Sequence, residues 1–278
     1  MDEVIIGDIC DQTIINELAE KQFDVVIHLI SLDHFKSESE PNIVSSINVM
    51  PTWNLLDRLT KNGLEKFIYF STTQVYGDVP KTVIKENHIA DPCNIYGLTH
   101  LLSENICNYF NKNTNTKCIN VRLSNSYGSP VFNENNCWWL VINDLCKTAF
   151  TKNNIKLSSD GSPVRDFIHS SDIYNAINLI IEVTDDFNDN IFHIASGETL
   201  TILELAHIVK DVFADRYNKI IPINLSDDTV LADQDKFDSL ERFTFDIKRL
   251  NNLGFKKKTN LEVGINGLFN YLEKNNAN

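Results

Sequence analysis

Three short strand-forming runs constrain this chain more than any other feature. They are 24–30 (Asp-Val-Val-Ile-His-Leu-Ile), 66–71 (Lys-Phe-Ile-Tyr-Phe-Ser) and 118–123 (Cys-Ile-Asn-Val-Arg-Leu). The first is near-continuously apolar, as a strand in a parallel sheet buried on both faces requires. The stretches between them have helical periodicity. Asp11 is placed to cap a helix through Ile14, Ile15, Leu18 and Ala19; a second helix spans 41–59 and stops at Gly63; a third runs from Tyr96 to about Phe110. A further short strand is predicted at Val4-Ile5-Ile6. Strands and helices alternating at this spacing predict an α/β fold with a doubly wound parallel sheet. Such sheets bind ligands beyond the carboxyl ends of their strands. That rule singles out Asp8, Ser31, Ser71, Thr72 and Ser124-Asn125.

Beyond about residue 126 the alternation loosens. Helices are predicted at 136–150 and 171–183, then one capped by Thr201, and a last one at 261–272. Strands are predicted at 155–161 and 190–194, and the acidic stretch 226–238 reads as an exposed loop.

Composition narrows the function classes. A formal net charge of -13 argues against nucleic acid, which requires clustered Lys and Arg; an anionic ligand then requires a local cation. The six cysteines contain no C-x-x-C pair, so neither a disulfide framework nor a metal site is predicted, and mostly buried, reduced thiols in a cytoplasmic protein are expected. Met1-Asp2-Glu3 is acidic where a signal peptide would be basic. No apolar run approaches the roughly 18 residues of a membrane span.

The chemistry concentrates in two motifs: Ser71-Thr72-Thr73-Gln74-Val75-Tyr76-Gly77 and Tyr96-Gly97-Leu98-Thr99-His100. A free phenol, with a pKa near ~10, is a poor base at neutral pH. It becomes useful when a nearby cation and a hydrogen-bond donor stabilise the phenolate. His100 stands one helical turn after Tyr96, on the same face. A histidine, with a pKa near ~6.5, is mostly neutral at pH 7 and supplies a hydrogen bond rather than a charge. The plain alternative is an ordinary helix start followed by a surface histidine.

Together these motifs resemble the active site of the extended short-chain dehydrogenase/reductases, the NAD-dependent epimerase/dehydratase (nucleotide-sugar) family. The strand-end motif is similar to that family's S-[ST]-x-x-V-Y-G, which implies Thr72 as the catalytic hydroxyl, Tyr96 as the base, and His100 where the family usually has Lys. Five further stretches fit: Gly7-Asp8-Ile9, Asn48-Val49-Met50-Pro51-Thr52-Trp53-Asn54-Leu55-Leu56, Arg122-Leu123-Ser124-Asn125-Ser126-Tyr127-Gly128, Arg165-Asp166-Phe167-Ile168-His169 and Phe192-His193-Ile194-Ala195-Ser196-Gly197. The resemblance implies NAD or NADP bound by Asp8, Ile9, Leu29, Asn48, Ser71, Tyr96 and His100. It also implies a nucleotide-diphosphate sugar held by Asn125 and Arg165, whose guanidinium fork suits a diphosphate. For Arg165 the alternative is a structural salt bridge.

The dehydratase branch usually carries Asp-Glu where this chain has Thr73-Gln74, and neither of these can act as acid or base near pH 7. The resemblance therefore implies an NAD-dependent epimerase or reductase of surface-polysaccharide biosynthesis, with homodimerisation through 41–59 and 96–110 as a family expectation. The alternative is a non-catalytic sugar-nucleotide-binding or partner subunit. The family's glycine-rich G-x-x-G-x-x-G turn does not occur in this sequence. The chain is therefore expected to begin at the third strand of an N-terminally truncated Rossmann-like sheet. Residues 1–125 with about 168–196 would form the cofactor domain, and about 126–167 with 197–278 a smaller α/β substrate domain.

Overall fold

The three strand-forming runs lie side by side in one parallel sheet. The computed structural model describes residues 3–80, 82–132, 134–183, 190–225 and 242–276. Its elements begin α1 (Gln12–Ala19), β1 (Val25–His28), α2 (Pro41–Asn48), α3 (Met50–Leu59), β2 (Lys66–Thr72), β3 (Val83–Ile84), α4 (Ile95–Asn113) and β4 (Lys117–Leu123). They continue β5 (Asn125–Tyr127), α5 (Val141–Lys152), β6 (Ile155–Leu157), β7 (Val164–His169), α6 (Ser170–Glu182) and β8 (Ile191–Ile194). The last are β9 (Thr199–Thr201), α7 (Ile202–Tyr217), β10 (Ile223–Leu225), β11 (Thr244–Phe245), α8 (Lys248–Asn252) and α9 (Leu261–Asn276).

The main sheet runs β1-β2-β4-β8. The β1–β2 and β2–β4 pairs are parallel, with Ile27 opposite Ile68 and Ile68 opposite Ile119. Two compact units share the chain: residues 1–79, 86–123 and 181–193, and residues 80–85, 124–180 and 194–278. In the first, α4 packs on β2 and β4 and against α3. Its core includes Leu55, Leu56, Phe67, Tyr69, Cys107 and Phe110. In the second, α5, α7 and α9 enclose Ile142, Leu145, Leu205, Val209, Leu268 and Phe269. Thr201 begins α7 in a capping box with Glu204, as its sequence position predicts.

Three expectations need correction. Residues 4–6 form no strand, and Val4 and Ile6 are exposed: extended chain becomes strand only when a neighbour completes its ladder, and among the described residues none does. The helix expected over 41–59 is two helices. Pro51 lacks an N–H and its ring crowds the carbonyl four residues earlier, so the ladder breaks at Val49 (φ -117, ψ -53). The helix expected from 136 begins at Val141; Asn136 instead holds a turn, its Oδ1 accepting from Trp138 N–H. The predicted acidic loop at 226–238 lies outside the described residues. All six thiols are free, but only Cys107, Cys118 and Cys146 are buried; Cys10 and Cys93 are exposed.

Candidate active site

Side chains spaced two apart on a strand and four apart on a helix build this site. On β2, Tyr69 and Ser71 share one face; on α4, Tyr96, His100 and Glu104 share another. The two rows meet. The Tyr69 hydroxyl lies 2.8 Å from His100 Nδ1, and Ser71 Oγ donates to Glu104 Oε1 at 2.5 Å. Thr72 ends β2, and its Oγ1 accepts from Gln74 N–H, capping the 3₁₀ turn Thr73–Tyr76.

Gly97 lets α4 approach that turn. A Cβ there would stand 2.6 Å from the Gln74 carbonyl oxygen, so a larger residue would force the backbone of that turn to shift. Asn94 closes the junction: its Oδ1 accepts from Gly97 N–H at 2.7 Å and its Nδ2 donates to Gln74 Oε1 at 3.0 Å. Tyr96, in the first turn of α4, is thereby set over the end of β2. Burial raises its phenol pKa, hydrogen bonding with Ser31 and Thr72 lowers it, and the Asp33 charge raises it again.

His100 is not a surface residue; it is 2% exposed. Its ring stands edge-on to Tyr96, with centroids 4.4 Å apart, and its Nε2 lies 3.1 Å from Ser31 Oγ. Burial, reinforced by neighbouring His28, pushes its pKa down to about 4. It is therefore neutral at pH 7. His28 itself, at the end of β1, is likewise lowered to about 4 by burial, and its Nε2 has no hydrogen-bond partner among the described residues.

The other predicted cofactor contacts fall into two groups. Asp8 and Leu29 are exposed, with one Asp8 oxygen engaged by Cys10 N–H. Ile9 packs against the core. Asn48 and Ser71 turn inward. Asn48 is fully buried: its Oδ1 accepts from Leu32 N–H, and its Nδ2 donates to Ser37 and Thr99. It braces the loop after β1 against α4 instead of presenting a surface to a ligand. Ser71 joins a buried network in which the Arg122 guanidinium grips Glu104 with both arms, at 3.0 and 2.6 Å. Arg122 also lies 4.7 Å from the Tyr76 ring, and the Tyr76 hydroxyl is 2.5 Å from His193 Nε2.

The second unit holds Asn125 and Arg165. Asn125 Nδ2 donates to the Asp166 carbonyl, and the exposed Arg165 makes no ion pair with a described residue; its Nη1 donates to the Val164 carbonyl. The neighbouring Asp166, which motif reading passed over, is fully buried. Its carboxylate accepts from Ser124 Oγ, Ser196 N–H and Oγ, and Gly197 N–H. Asp166 anchors the segment that follows β8, leaving Arg165 at the surface. Sequence reasoning named Ser31 only as a strand end and missed Tyr69 and Glu104. The signal for Glu104 was its place one turn after His100.

For a nicotinamide ring the fitting residues are those at the strand ends: the exposed apolar Leu29 and Ile30 (63% and 41%) beside Ser31, and the half-buried Tyr96. The backbone N–H groups that cradle a dinucleotide's pyrophosphate come from a glycine-rich turn, and the 278 residues contain none.

Residues 2–195 match the NAD dependent epimerase/dehydratase family. The UDP-glucose 4-epimerase of Mycoplasma genitalium is 31% identical over 230 residues, covering 76% of this chain and 67% of that one. The UDP-N-acetylglucosamine 4-epimerase of Methanobrevibacter ruminantium M1, solved with UDP-N-acetylmuramic acid, superposes with a TM-score of 0.82 at 24% identity over 98% of this chain and 83% of that one. The Bacillus cereus UDP-glucuronic acid 4-epimerase in complex with NAD gives a TM-score of 0.78 at 21% identity, covering 96% and 79%. These two structures share the fold of this chain. No helix among the described residues is long and apolar enough to cross a membrane.

Proposed function

The chain belongs to the NAD-dependent epimerase/dehydratase family, and from that premise we propose that it inverts a sugar carbinol of a UDP-sugar. The observation that carries this reading is the half-buried Tyr96 at the start of α4, its ring centroid 4.4 Å from that of His100, where Ser31 and Thr72 lower the phenol pKa against burial. As the phenolate, Tyr96 takes the proton of the sugar hydroxyl, and Thr72 orients that hydroxyl. Bound NAD would supply the hydride acceptor. Tyr96 then holds the proton at its phenol oxygen until the transient keto sugar is reduced on its other face, and returns it. Leu29 and Ile30 offer the apolar wall for the nicotinamide ring. Within the second unit, Asn125 and Arg165 are the groups suited to a nucleotide and a diphosphate, the latter through its guanidinium fork.

Two features favour epimerisation over water elimination. Thr73 and Gln74 carry no titratable group, and Gln74 Oε1 is already engaged by Asn94. The product, an epimeric glycosyl donor, would feed glycan synthesis. The helices α2, α3 and α4, with exposed Ile43, Met50, Trp53, Leu98 and Leu102, are the surface through which a homodimer would form.

The test is a calorimetric titration of the purified chain with NAD, then with UDP-sugars, alongside mass spectrometry of released nicotinamide. Carried-over or saturable NAD supports the reading. A folded chain that binds UDP-sugar but no NAD at millimolar concentration would sink it.

A further inference from the structure

Two side-chain amides at the junction of β2 and α4 have only one orientation open to them. Asn94 caps α4, and its side chain accepts from Gly97 N–H at 2.7 Å. A backbone N–H only donates, so the Asn94 atom facing it is Oδ1, and Nδ2 is turned the other way. That Nδ2 lies 3.0 Å from the Gln74 side chain. An amide nitrogen also only donates, so the Gln74 atom facing it is Oε1. The Gln74 Nε2 is therefore directed away from Asn94. Gln74 is exposed, and its Nε2 has no hydrogen-bond partner among the described residues. The Gln74 backbone is fixed as well. Its N–H donates to Thr72 Oγ1 at 3.2 Å, and a Cβ on Gly97 would stand 2.6 Å from its carbonyl oxygen. Gln74 is thus held between Thr72 and the residue that follows Tyr96. Thr72 Oγ1 receives the Gln74 N–H, which leaves its own proton to donate. Two donors then stand two residues apart, Thr72 O–H and Gln74 Nε2–H.

We propose that Gln74 is a specificity-determining residue: held donor-outward by Asn94, its carboxamide donates to a hydroxyl oxygen of the sugar beside the carbinol that Thr72 orients. The inference rests on the reading of this strand end as the sugar site and adds the class of sugar that it takes. Residues 72–78 and 91–98 contain no Lys, Arg or His; their only formal charges are Asp78 and Asp91. A carboxylate on the sugar would call for a guanidinium or ammonium partner. An uncharged amide donor suits an uncharged oxygen, so a neutral hexose is preferred to a uronic acid. No proton moves: Gln74 selects and orients, and the chemistry stays with Tyr96 and Thr72. Asn94 is the positioning residue, because its cap on α4 decides which end of the Gln74 amide meets the ligand.

The experiment reads ligand binding by the full chain without NAD. Calorimetry compares UDP, UDP-glucose and UDP-glucuronate. Nitrogen-15 NMR of the side-chain amides, with Gln74 assigned by its loss in Gln74→Met, reads the donor directly. UDP-glucose should shift the Gln74 amide and slow its exchange with solvent, whereas UDP should leave it unchanged. UDP-glucose should also bind tighter than UDP-glucuronate. Gln74→Met should weaken UDP-glucose about three- to tenfold, the range of one hydrogen bond, with UDP binding unchanged, a loss confined to the sugar. Asn94→Asp keeps one oxygen on the Gly97 N–H, so the cap survives, and turns its second oxygen to Gln74. The Gln74 Nε2 then faces inward, and UDP-glucose should no longer shift its signal. A Gln74 amide that ignores UDP-glucose in the wild type, an equal loss for UDP and UDP-glucose in Gln74→Met, or UDP-glucuronate bound tighter than UDP-glucose overturns the inference. If Gln74→Met fails to fold, Asn94→Asp carries the same test through the amide signal. These readouts need neither NAD nor turnover. The expected changes in a chain that neither binds NAD nor turns over contradict only the proposed function; turnover with a silent Gln74 contradicts only this inference.

Discussion

Arg122 and Glu104 face each other as a bidentate ion pair, Nη2 to Oε2 at 2.6 Å, with side chains only 4% and 2% exposed. Burial alone would lower the Arg122 pKa, yet the adjoining carboxylate holds it above its usual value. The pair lies directly behind Ser71, one residue before Thr72. Removing one partner leaves a buried charge without compensation, which costs about 3–5 kcal/mol. Glu104→Ala should therefore lower unfolding stability by that amount in urea titration. A change below about 1 kcal/mol would show that the pair is dispensable.

Gly97→Ala sets two effects against each other. Alanine is the better helix former by about 1 kcal/mol. Its Cβ, however, would press to 2.6 Å from the Gln74 carbonyl oxygen, and that contact is backbone, which cannot swing aside. Overpacking of this kind costs about 1–3 kcal/mol, so the clash wins. The variant should melt lower than wild type and lose turnover beyond what its stability explains, because Tyr96 is displaced from Thr72.

Acid stability follows from His28 and His100. Both have native pKa values of about 4 against ~6.5 unfolded. Below about pH 6.5 the unfolded chain takes up protons that the native state refuses. Their contribution is complete above that pH and falls as pH drops toward 4, by at most about 3 kcal/mol each. Asp166, whose pKa burial raises, acts in the opposite sense. Burial lowers the His169 pKa as well, so the clean readout is a difference: the loss of stability between pH 7.5 and 5 should shrink by somewhat less than half in His28→Phe, measured by urea unfolding at each pH. An unchanged slope would mean that His28 is not buried neutral.

Tyr96→Phe removes the base while keeping the ring that packs on His100. Turnover should fall by about a hundred- to ten-thousand-fold, the range for a positioned general base, with the melting temperature nearly unchanged. Thr72→Val should lose less activity and also a fraction of a kcal/mol of stability, because its hydroxyl caps the turn that follows.

Much of the scaffold was legible because its signals are local. Strand-forming runs marked β1, β2 and β4, and Thr201 marked the start of α7. The break at Val49 has a local signal as well, Pro51, which lies inside the run of helical periodicity over 41–59. What could not be read was which polar atoms meet across elements. His100 is adjacent to Tyr96 in the helix, yet its partners, Tyr69 and Ser31, come from a strand and a loop far along the chain. Asn48 carried a motif signature whose meaning depends on whether the amide points to solvent or, as it does, into the brace beneath Leu32. Asp166 was overshadowed by its neighbour Arg165 because a motif names a run of residues, not which side chain of that run is buried.

The most direct test of the account is proton NMR of UDP-sugar interconversion by the purified chain in saturating NAD, with Tyr96→Phe in parallel. The account predicts conversion of a UDP-sugar to its epimer by wild type, with no exchange above background by the variant. Turnover that survives in Tyr96→Phe, or a folded wild-type chain that binds NAD and UDP-sugars and converts none of them, would contradict it.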